Sequence, residues 1–427
     1  MLKNRTRRGR MARRGYALLA ALALVAPLGG CDLEKLLEAD APGRLPAERL
    51  EDPQYASLLV NGAVADLECA IGAFVLVGAI ITDEFADAQN GSAAWPYDRR
   101  DAGRFTNGAY GVNGCAENQT PGVYRPLSTA RWAADNALRN LEAWSDKQVP
   151  NREALISKAA LYSGFSHAML GMAMCSAAVD GGPELSSQQL FALAEERFDR
   201  AIEAGLAAQQ MDFVNAARVG RARVRLYQGD ETGAAADAAA VPPDFVYNAT
   251  ASADNNRRYN RIFAANPRYR FFTVDPQSRD IRTGGVPDPR ARAVYNGQNA
   301  VDGTPLWEQT KYTDYGSPIP LARGAEAQLI LAEIRGGQEA VQIINQLRDR
   351  HGLPHFTSSD PAEIEREVIE ERRKELWLEG HRMYDFRRFD LPLVPAPGTP
   401  FVRGGVYGDT RCLPLPDVER QNNPNIN

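Results

Sequence analysis

The stretch Glu370-Glu371-Arg372-Arg373-Lys374-Glu375-Leu376-Trp377-Leu378-Glu379-Gly380-His381-Arg382-Met383-Tyr384-Asp385-Phe386-Arg387-Arg388-Phe389 carries five carboxylates against six Lys and Arg bases, with Trp377, Tyr384, Phe386 and Phe389 interleaved. Upstream, Asp360 suits an N-cap, Pro361 the first helical position and Glu363 the third position of a capping box. Ile364, Val368, Glu371, Arg372, Glu375, Leu376 and Glu379 then recur at three- and four-residue intervals. A helix is therefore predicted whose face begins apolar and continues charged, up to a left-handed stop at Gly380. Two arrangements fit this face. A solvated surface laced with exposed ion pairs would add at most about a few tenths of a kcal/mol per pair. A partly buried, hydrogen-bonded network would instead supply register and specificity, because desolvation offsets most of the Coulomb gain. The set Glu371, Arg372, Glu375, Glu379, Arg382 and Asp385, which can pair internally, is expected to be structural.

The run from Glu370 to Phe389 resembles the C-terminal signature of the SusD/RagB family of nutrient-binding outer-membrane lipoproteins. Ile319-Pro320-Leu321-Ala322-Arg323, followed by Glu326, Leu329, Ile330, Ala332 and Glu333, is similar to the family's helix before that signature. Leu413-Pro414-Leu415-Pro416 with Asn423-Pro424-Asn425 resembles its closing motif, and Thr82-Asp83-Glu84-Phe85 its acidic turn after the first helix. Weaker similarity reaches back to about Pro46. The resemblance implies a mainly α fold of tetratricopeptide-like helix pairs (the SusD-like fold), capture of nutrient oligomers without catalysis, and a SusC-like TonB-dependent transporter over which the lipoprotein acts as a lid.

Residues 1–30 read as a lipoprotein signal peptide. Lys3, Arg5, Arg7, Arg8, Arg10, Arg13 and Arg14 form a basic start, and Tyr16 to Leu28 is an apolar run too short to span a bilayer. Leu28-Gly29-Gly30-Cys31 resembles a bacterial lipobox, which makes Cys31 the lipidation site. Residues 31–45 follow as an acidic tether, so the protein is expected on the outer membrane through a lipid anchor, facing the cell exterior. No second apolar segment is read as approaching membrane length. Of 49 Lys and Arg, the signal holds seven, leaving 42 against 54 Asp and Glu and a formal net charge near −12. Such a balance argues against a nucleic-acid partner.

Residues 46–427 read as a single domain, with a helical scaffold over about 46–241 and 320–427. Buried helices are predicted from Tyr55 to Ile81, then at Tyr124–Trp144, Glu153–Val179, Gln188–Gly205, Phe213–Tyr227 and Thr232–Ala240. Ala194-x3-Phe198-x2-Ala201 echoes the small and aromatic positions of tetratricopeptide pairs; generic Ala-rich antiparallel packing fits the spacing equally. Apart from Cys31, four cysteines remain, Cys69, Cys115, Cys175 and Cys412, which allow up to two disulfides in three connectivities. Cys69 and Cys115 are the favoured pair, because a bond there would hold the long loop Gln89–Gln119 to the first helical segment. Cys175 fits a buried thiol equally well.

Between residues 242 and 319 the composition turns to Pro, Gly, Asn and Asp and concentrates aromatic rings, predicting a long irregular insert. Flat ring faces suit the apolar C–H side of sugars, although more than half of these rings are expected to fasten the insert to the scaffold. Trp95, Tyr97, Tyr259, Arg258, Tyr269, Arg270, Trp307 and Tyr312 are the candidate ligand contacts. Nine arginines lie between Asp254 and Arg292 against four aspartates, a local excess of five positive charges that suits an anionic oligosaccharide unless the arginines pair with the acidic scaffold. No catalytic residue, cofactor or metal site is predicted. His351 and His355 flank Pro354 and share no helical face, and Glu375 and Glu379, one turn apart on one helix, cannot flank a glycosidic bond. The reading is a surface lipoprotein binding oligosaccharide, or alternatively peptide. The competing classes are a tetratricopeptide-type envelope scaffold that binds proteins and a lipid-anchored glycoside hydrolase.

Overall fold

The computed structural model describes residues 50–89, 91, 94–103 and 122–426. The signal peptide, Cys31, the tether and Cys115 lie outside these residues. An unbroken apolar sequence places the first helix, α1 (Ala56–Ile81), at the centre: every residue from Leu67 to Ile81 is buried, Glu68 included. Contrary to the reading of the sequence, α1 is long and apolar enough to cross a membrane. Its apolar surface is taken up by protein, because α2 (Tyr124–Ala143) and α3 (Arg152–Ala173) pack along it.

From α3 the chain continues through a hairpin, β2 (Ser176–Ala178) and β3 (Glu184–Ser186), preceded by β1 (Phe85–Asp87) after α1. Next come α4 (Ser187–Ala207), α5 (Met211–Gln228) and α6 (Glu231–Ala239), each packed on its predecessor. These are helix pairs of tetratricopeptide type. Their close approach is explained at Phe198, whose fully buried ring meets glycines on both neighbouring helices. A Cβ added at Gly164 on α3 would lie 2.7 Å from that ring, and one at Gly220 on α5 2.4 Å. Burying such a ring contributes about 2 to 3 kcal/mol, and a side chain larger than hydrogen at either position would expel it.

The predicted helix Glu153–Val179 stops six residues early. At Met174 the backbone turns extended, the Cys175 N–H donates to the Leu413 carbonyl (2.8 Å), the Leu413 N–H donates to Ala173 (2.8 Å), and Cys175 is bonded to Cys412. Cys175 is thus a half-cystine and not a buried thiol. The closing segment of the chain takes the backbone groups that the helix would have used.

In the insert, β4 (Val246–Ala249), β5 (Phe272–Val274), β6 (Ala293–Asn299), β7 (Pro305–Gln309) and β8 (Ile319–Arg323) form short two-stranded ladders. The β4–β8 pairing closes the base of the insert, β1 pairs with β5, and β6 pairs with β7, all antiparallel. The scaffold then resumes with α7 (Gly324–Arg335), α8 (Gly337–Asp349), α9 (Pro361–Glu375) and α10 (Arg382–Arg388).

Asp360 caps α9 by accepting the Ala362 N–H (2.8 Å), but Glu363 accepts the Ser358 hydroxyl (2.6 Å), so no capping box forms. The helix ends at Glu375, before Glu379. Tertiary partners again take its backbone: Leu378, at φ +55°, donates its N–H to Glu84 (2.8 Å), while Tyr312 and Lys311 donate to the Leu378 and Trp377 carbonyls (2.9 and 2.6 Å). Gly380 sits at φ +87°, where a Cβ would meet Phe74 at 2.4 Å.

All six charged residues of the expected network are buried. Within the signature, Arg372 pairs with Asp385 (3.1 Å), yet most partners come from far along the chain. Glu371 is held by Arg290 and Arg348 (both 2.7 Å), and Glu375 by Arg323 (2.8 Å) and Arg290 (3.2 Å). Glu379 is held by Lys311 (2.6 Å), and Arg382 grips Asp83 through two bonds of 2.8 Å. Burial disfavours an ionised Asp83, but the Arg382 charge outweighs it and the carboxyl is held below its usual range. Its neighbour Glu84 has no such partner, and burial pushes it up to about 7 against the pull of the Leu378 N–H.

Two outcomes are expected. Arg382→Ala removes both short hydrogen bonds to the buried Asp83 and leaves it only Arg373 at 3.3 Å; it should cost about 3 to 5 kcal/mol in chemical denaturation, whereas a loss below about 1 kcal/mol would mark the pair as no better than an exposed one. Glu84 stays protonated in the folded chain while the unfolded chain ionises, so its contribution is present below pH 4.5 and is lost as pH rises towards 7. Glu84→Gln should therefore raise the melting temperature relative to wild type more at pH 8 than at pH 5.

Candidate functional site

Pro267 removes a backbone donor, and the chain responds with a single π-turn over Ala264–Arg268 that leaves Asn266 wholly buried. The Asn266 amide nitrogen donates to the carbonyls of Phe272 (2.8 Å) and Trp307 (3.0 Å), and its oxygen accepts the Gln309 N–H (2.8 Å). One side chain thereby joins the turn to β5 and β7, and two groups of rings stand on this joint.

In the first group Tyr315 is central. Its ring lies 4.1 Å from Tyr259 at 30°, meets Phe263 edge-on at 5.1 Å, and its hydroxyl donates to that of Tyr269 (3.2 Å). Tyr269 in turn stacks with Phe271 (5.5 Å, 27°), and all five rings are half-buried. The second group is the cross-strand pair Tyr295 and Trp307, stacked at 5.7 Å and 28°, with Tyr295 47% exposed. Arg279 lies 5.5 Å over Trp307 while donating to the Val274 carbonyl (2.9 Å). Nearby chain is fixed to the insert by Arg403, which pairs with Asp87 and Asp302 and lies 5.7 Å over the Trp95 ring.

Of the candidate ligand contacts, Tyr259, Tyr269 and Trp307 keep ring surface at the exterior, and Arg270 is exposed beside Tyr269. Trp95 is half-buried under Arg403. Tyr97 and Tyr312 are core residues, 0% and 3% exposed, and offer no face to a ligand; the Tyr312 hydroxyl is used in ending α9. Arg258 is committed to the scaffold through Glu68 of α1 (2.6 Å). Sequence reasoning did not select Tyr315, Phe263 or Tyr295, whose only signal was membership of the aromatic-rich stretch. Asn266 had the Asn-Pro dipeptide, a turn initiator. Cys69 is disulfide-bonded, and the Cys115 end of the expected pair lies outside the described residues.

Glu375 and Glu379 are both locked in ion pairs; burial opposes ionisation of Glu375, but the His351 hydrogen bond and the Arg323 and Arg290 charges hold it well below the usual range. A polar cleft of about 570 Å³ between α2 and the Ala178–Gly181 turn exposes Trp132, but the Arg131 at its floor is taken by Asp180 (2.6 Å). Among the described residues no group of three or more His, Cys, Asp or Glu is placed to hold a metal ion.

Residues 290–427 match the SusD family. The fold is that of a SusD superfamily protein from Bacteroides vulgatus, at a TM-score of 0.66 over 88% of this chain and 98% of that one, with 15% identity. The chain thus has the fold of SusD superfamily structures, and its C-terminal third is similar to the SusD family. The SusD fold recurs in a SusD-like carbohydrate binding protein from Bacteroides vulgatus (TM-score 0.65, 16% identity, 88% and 97% of the two chains). It recurs again in a laminarin binding SusD-like protein (0.58, 16%, 88% and 98%). The starch-binding protein SusD of Bacteroides thetaiotaomicron is 40% identical over 92 residues, which are 21% of this chain and 16% of that protein. The SusD family match takes in the ion network from Arg290 to Arg388 and leaves out the Asn266 turn and the rings from Tyr259 to Phe271.

Replacing Asn266 with Ala should free two carbonyls and one N–H at once. Hydrogen exchange is expected to accelerate in residues 264–274 and 305–309 while α2 to α5 stay protected. Uniform exchange across the chain would show that the amide is not the joint.

Proposed function

We propose that this chain is an outer-membrane lipoprotein, anchored through Cys31, that binds nutrient oligosaccharides on the insert's ring surface and passes them to a SusC-like TonB-dependent transporter. The observation that carries the reading is the pair of stacked ring groups left half-open on a turn that is otherwise fully hydrogen-bonded. Buried aromatics normally give up their faces to the core; here Tyr259, Tyr269, Phe271, Tyr315, Tyr295 and Trp307 keep area for a partner. Ring faces suit the apolar side of a pyranose, and rings already stacked on one another lose little freedom on binding. The names of the starch-binding, laminarin binding and carbohydrate binding relatives support the same ligand class. Binding and delivery require no catalytic group, in keeping with ion-paired Glu375 and Glu379. The transporter, the anchor and the outward orientation are implied by family resemblance and by Leu28-Gly29-Gly30-Cys31.

Calorimetry with a panel of oligosaccharides, followed by chromatography of the recovered sugars, tests the reading. Binding with unchanged sugars is expected, and Tyr269→Ala and Trp307→Ala should each weaken it about tenfold, the equivalent of 1.4 kcal/mol. Cleaved sugars would favour the hydrolase, and full-strength binding by both variants would move the site elsewhere. In cells, Cys31→Ala should shift the protein from the membrane pellet to the soluble fraction without changing its melting temperature, since a tether outside the core adds nothing to folding.

A further inference from the structure

The nine arginines between Asp254 and Arg292 divide sharply by environment. Arg257 pairs with Asp66, Arg258 with Glu68, Arg282 with Asp280 and Arg290 with Asp288 and Glu371. Arg261 is buried and Arg279 is bound to a carbonyl. Arg268, Arg270 and Arg292 are exposed, and among the described residues none of the three is paired with a carboxylate. Two of these three flank Tyr269 in the open ring group, with the Arg268 guanidinium 5.9 Å from the Tyr269 ring centre.

The backbone beneath them is unusual. Arg270 sits at φ +57°, in the left-handed region that glycine occupies freely and a branched-out L side chain enters only at a cost. It lies one residue beyond the end of the π-turn, past Tyr269, and the amides on both sides of it are used. Tyr269 donates to Ala264 (2.8 Å), Arg270 to Asn266 (3.1 Å) and Phe271 to Ala265 (2.9 Å), while the Arg270 carbonyl accepts from Val301 (3.1 Å). Folding alone would be served better by glycine at 270, and among the described residues no ion pair offsets the strain of arginine there. Strain held in place by a complete hydrogen-bond frame, at a solvent-facing charged side chain, points to use by a ligand.

We propose that the oligosaccharides taken by this site carry anionic groups, carboxylate or sulfate, which Arg268 and Arg270 bind while Tyr269 and Phe271 stack on the sugar. The proposal rests on the oligosaccharide reading above and narrows its ligand class. A guanidinium matches both carboxylate and sulfate through two parallel N–H donors, and Arg268 lying by the ring leaves charge and stacking surface side by side. Because the protein without its signal segment is acidic, near −12 by formal count, attraction of an anionic chain must come from this local patch and not from the protein as a whole.

The test is calorimetry of the full-length mature protein with three probes, uronic-acid oligosaccharides, sulfated oligosaccharides and neutral glucans, and with an acidic peptide as a fourth. Binding to a uronic or sulfated probe is expected, weakening severalfold as salt rises from about 50 to about 200 mM, since exposed charge attraction is screened over about 8 to 10 Å. Arg270→Gly should lower that affinity at least tenfold while keeping or raising the melting temperature, so lost binding cannot be ascribed to lost folding. Arg268→Gln should lower affinity in the same direction. Salt-insensitive binding to neutral glucans alone would overturn this proposal and leave the oligosaccharide reading standing. Binding to the acidic peptide alone, or to none of the probes, would overturn both. Unchanged affinity in both arginine variants would overturn the role given to the two side chains.

Discussion

The turn Asp83-Glu84 closes the fold. It ends the buried central helix, and the C-terminal signature grips it twice, through the Arg382 fork on Asp83 and through the Leu378 N–H on Glu84. Residues about 300 positions apart in sequence thus meet in the buried interior, where each charge is tolerable only with its partner in place. The same contact ends α9, sets Leu378 in its left-handed conformation and orients Glu375 and Glu379 towards Arg323 and Lys311. A network of this kind adds little net stability over an apolar core of equal volume. What it supplies is a single register: a slip of one residue in the signature would leave several buried charges without counter-ions.

The insert is supported by a comparable logic with neutral groups. Asn266 satisfies three backbone groups with one amide, the ladder β4–β8 pairs the insert's two ends with each other, and β1–β5 ties its middle to the turn after α1. Rings mounted on such a frame are already ordered before any partner arrives, so a ligand meets a surface whose conformational cost is largely met by folding. The strain at Arg270 is affordable for the same reason.

The helices α2 to α6 were legible to within a few residues, since their positions follow from local periodicity and from small residues where helices touch. The ends of α3 and α9 were not, because in both cases distant chain, Leu413 in one and Glu84 with Tyr312 in the other, takes the backbone groups of the next turn. The charged signature left burial and exposure both open in the sequence, and its partners were not legible, since charge balance within Glu370–Phe389 suggested internal pairing while the partners Asp83, Arg290, Lys311, Arg323 and Arg348 are scattered over the chain. Aromatic composition located the insert's open surface, but it could not tell Tyr269 from Tyr312. Which ring enters the core depends on contacts that no single stretch of sequence records. Likewise, four of the nine arginines are paired with acids, three of them reaching outside the stretch, and only geometry placed Arg268 and Arg270 beside the open ring of Tyr269.

The Cys175–Cys412 bond has a topological consequence. It joins the end of α3 to the closing segment across 237 residues, so α4 to α10, the insert and the whole charged signature belong to one covalent ring. A protease that nicks an exposed insert loop opens that ring without parting the molecule, and the two ends remain held by the scaffold on either side of the cut. A molecule nicked in this way would still be one molecule until a reductant reached the bond.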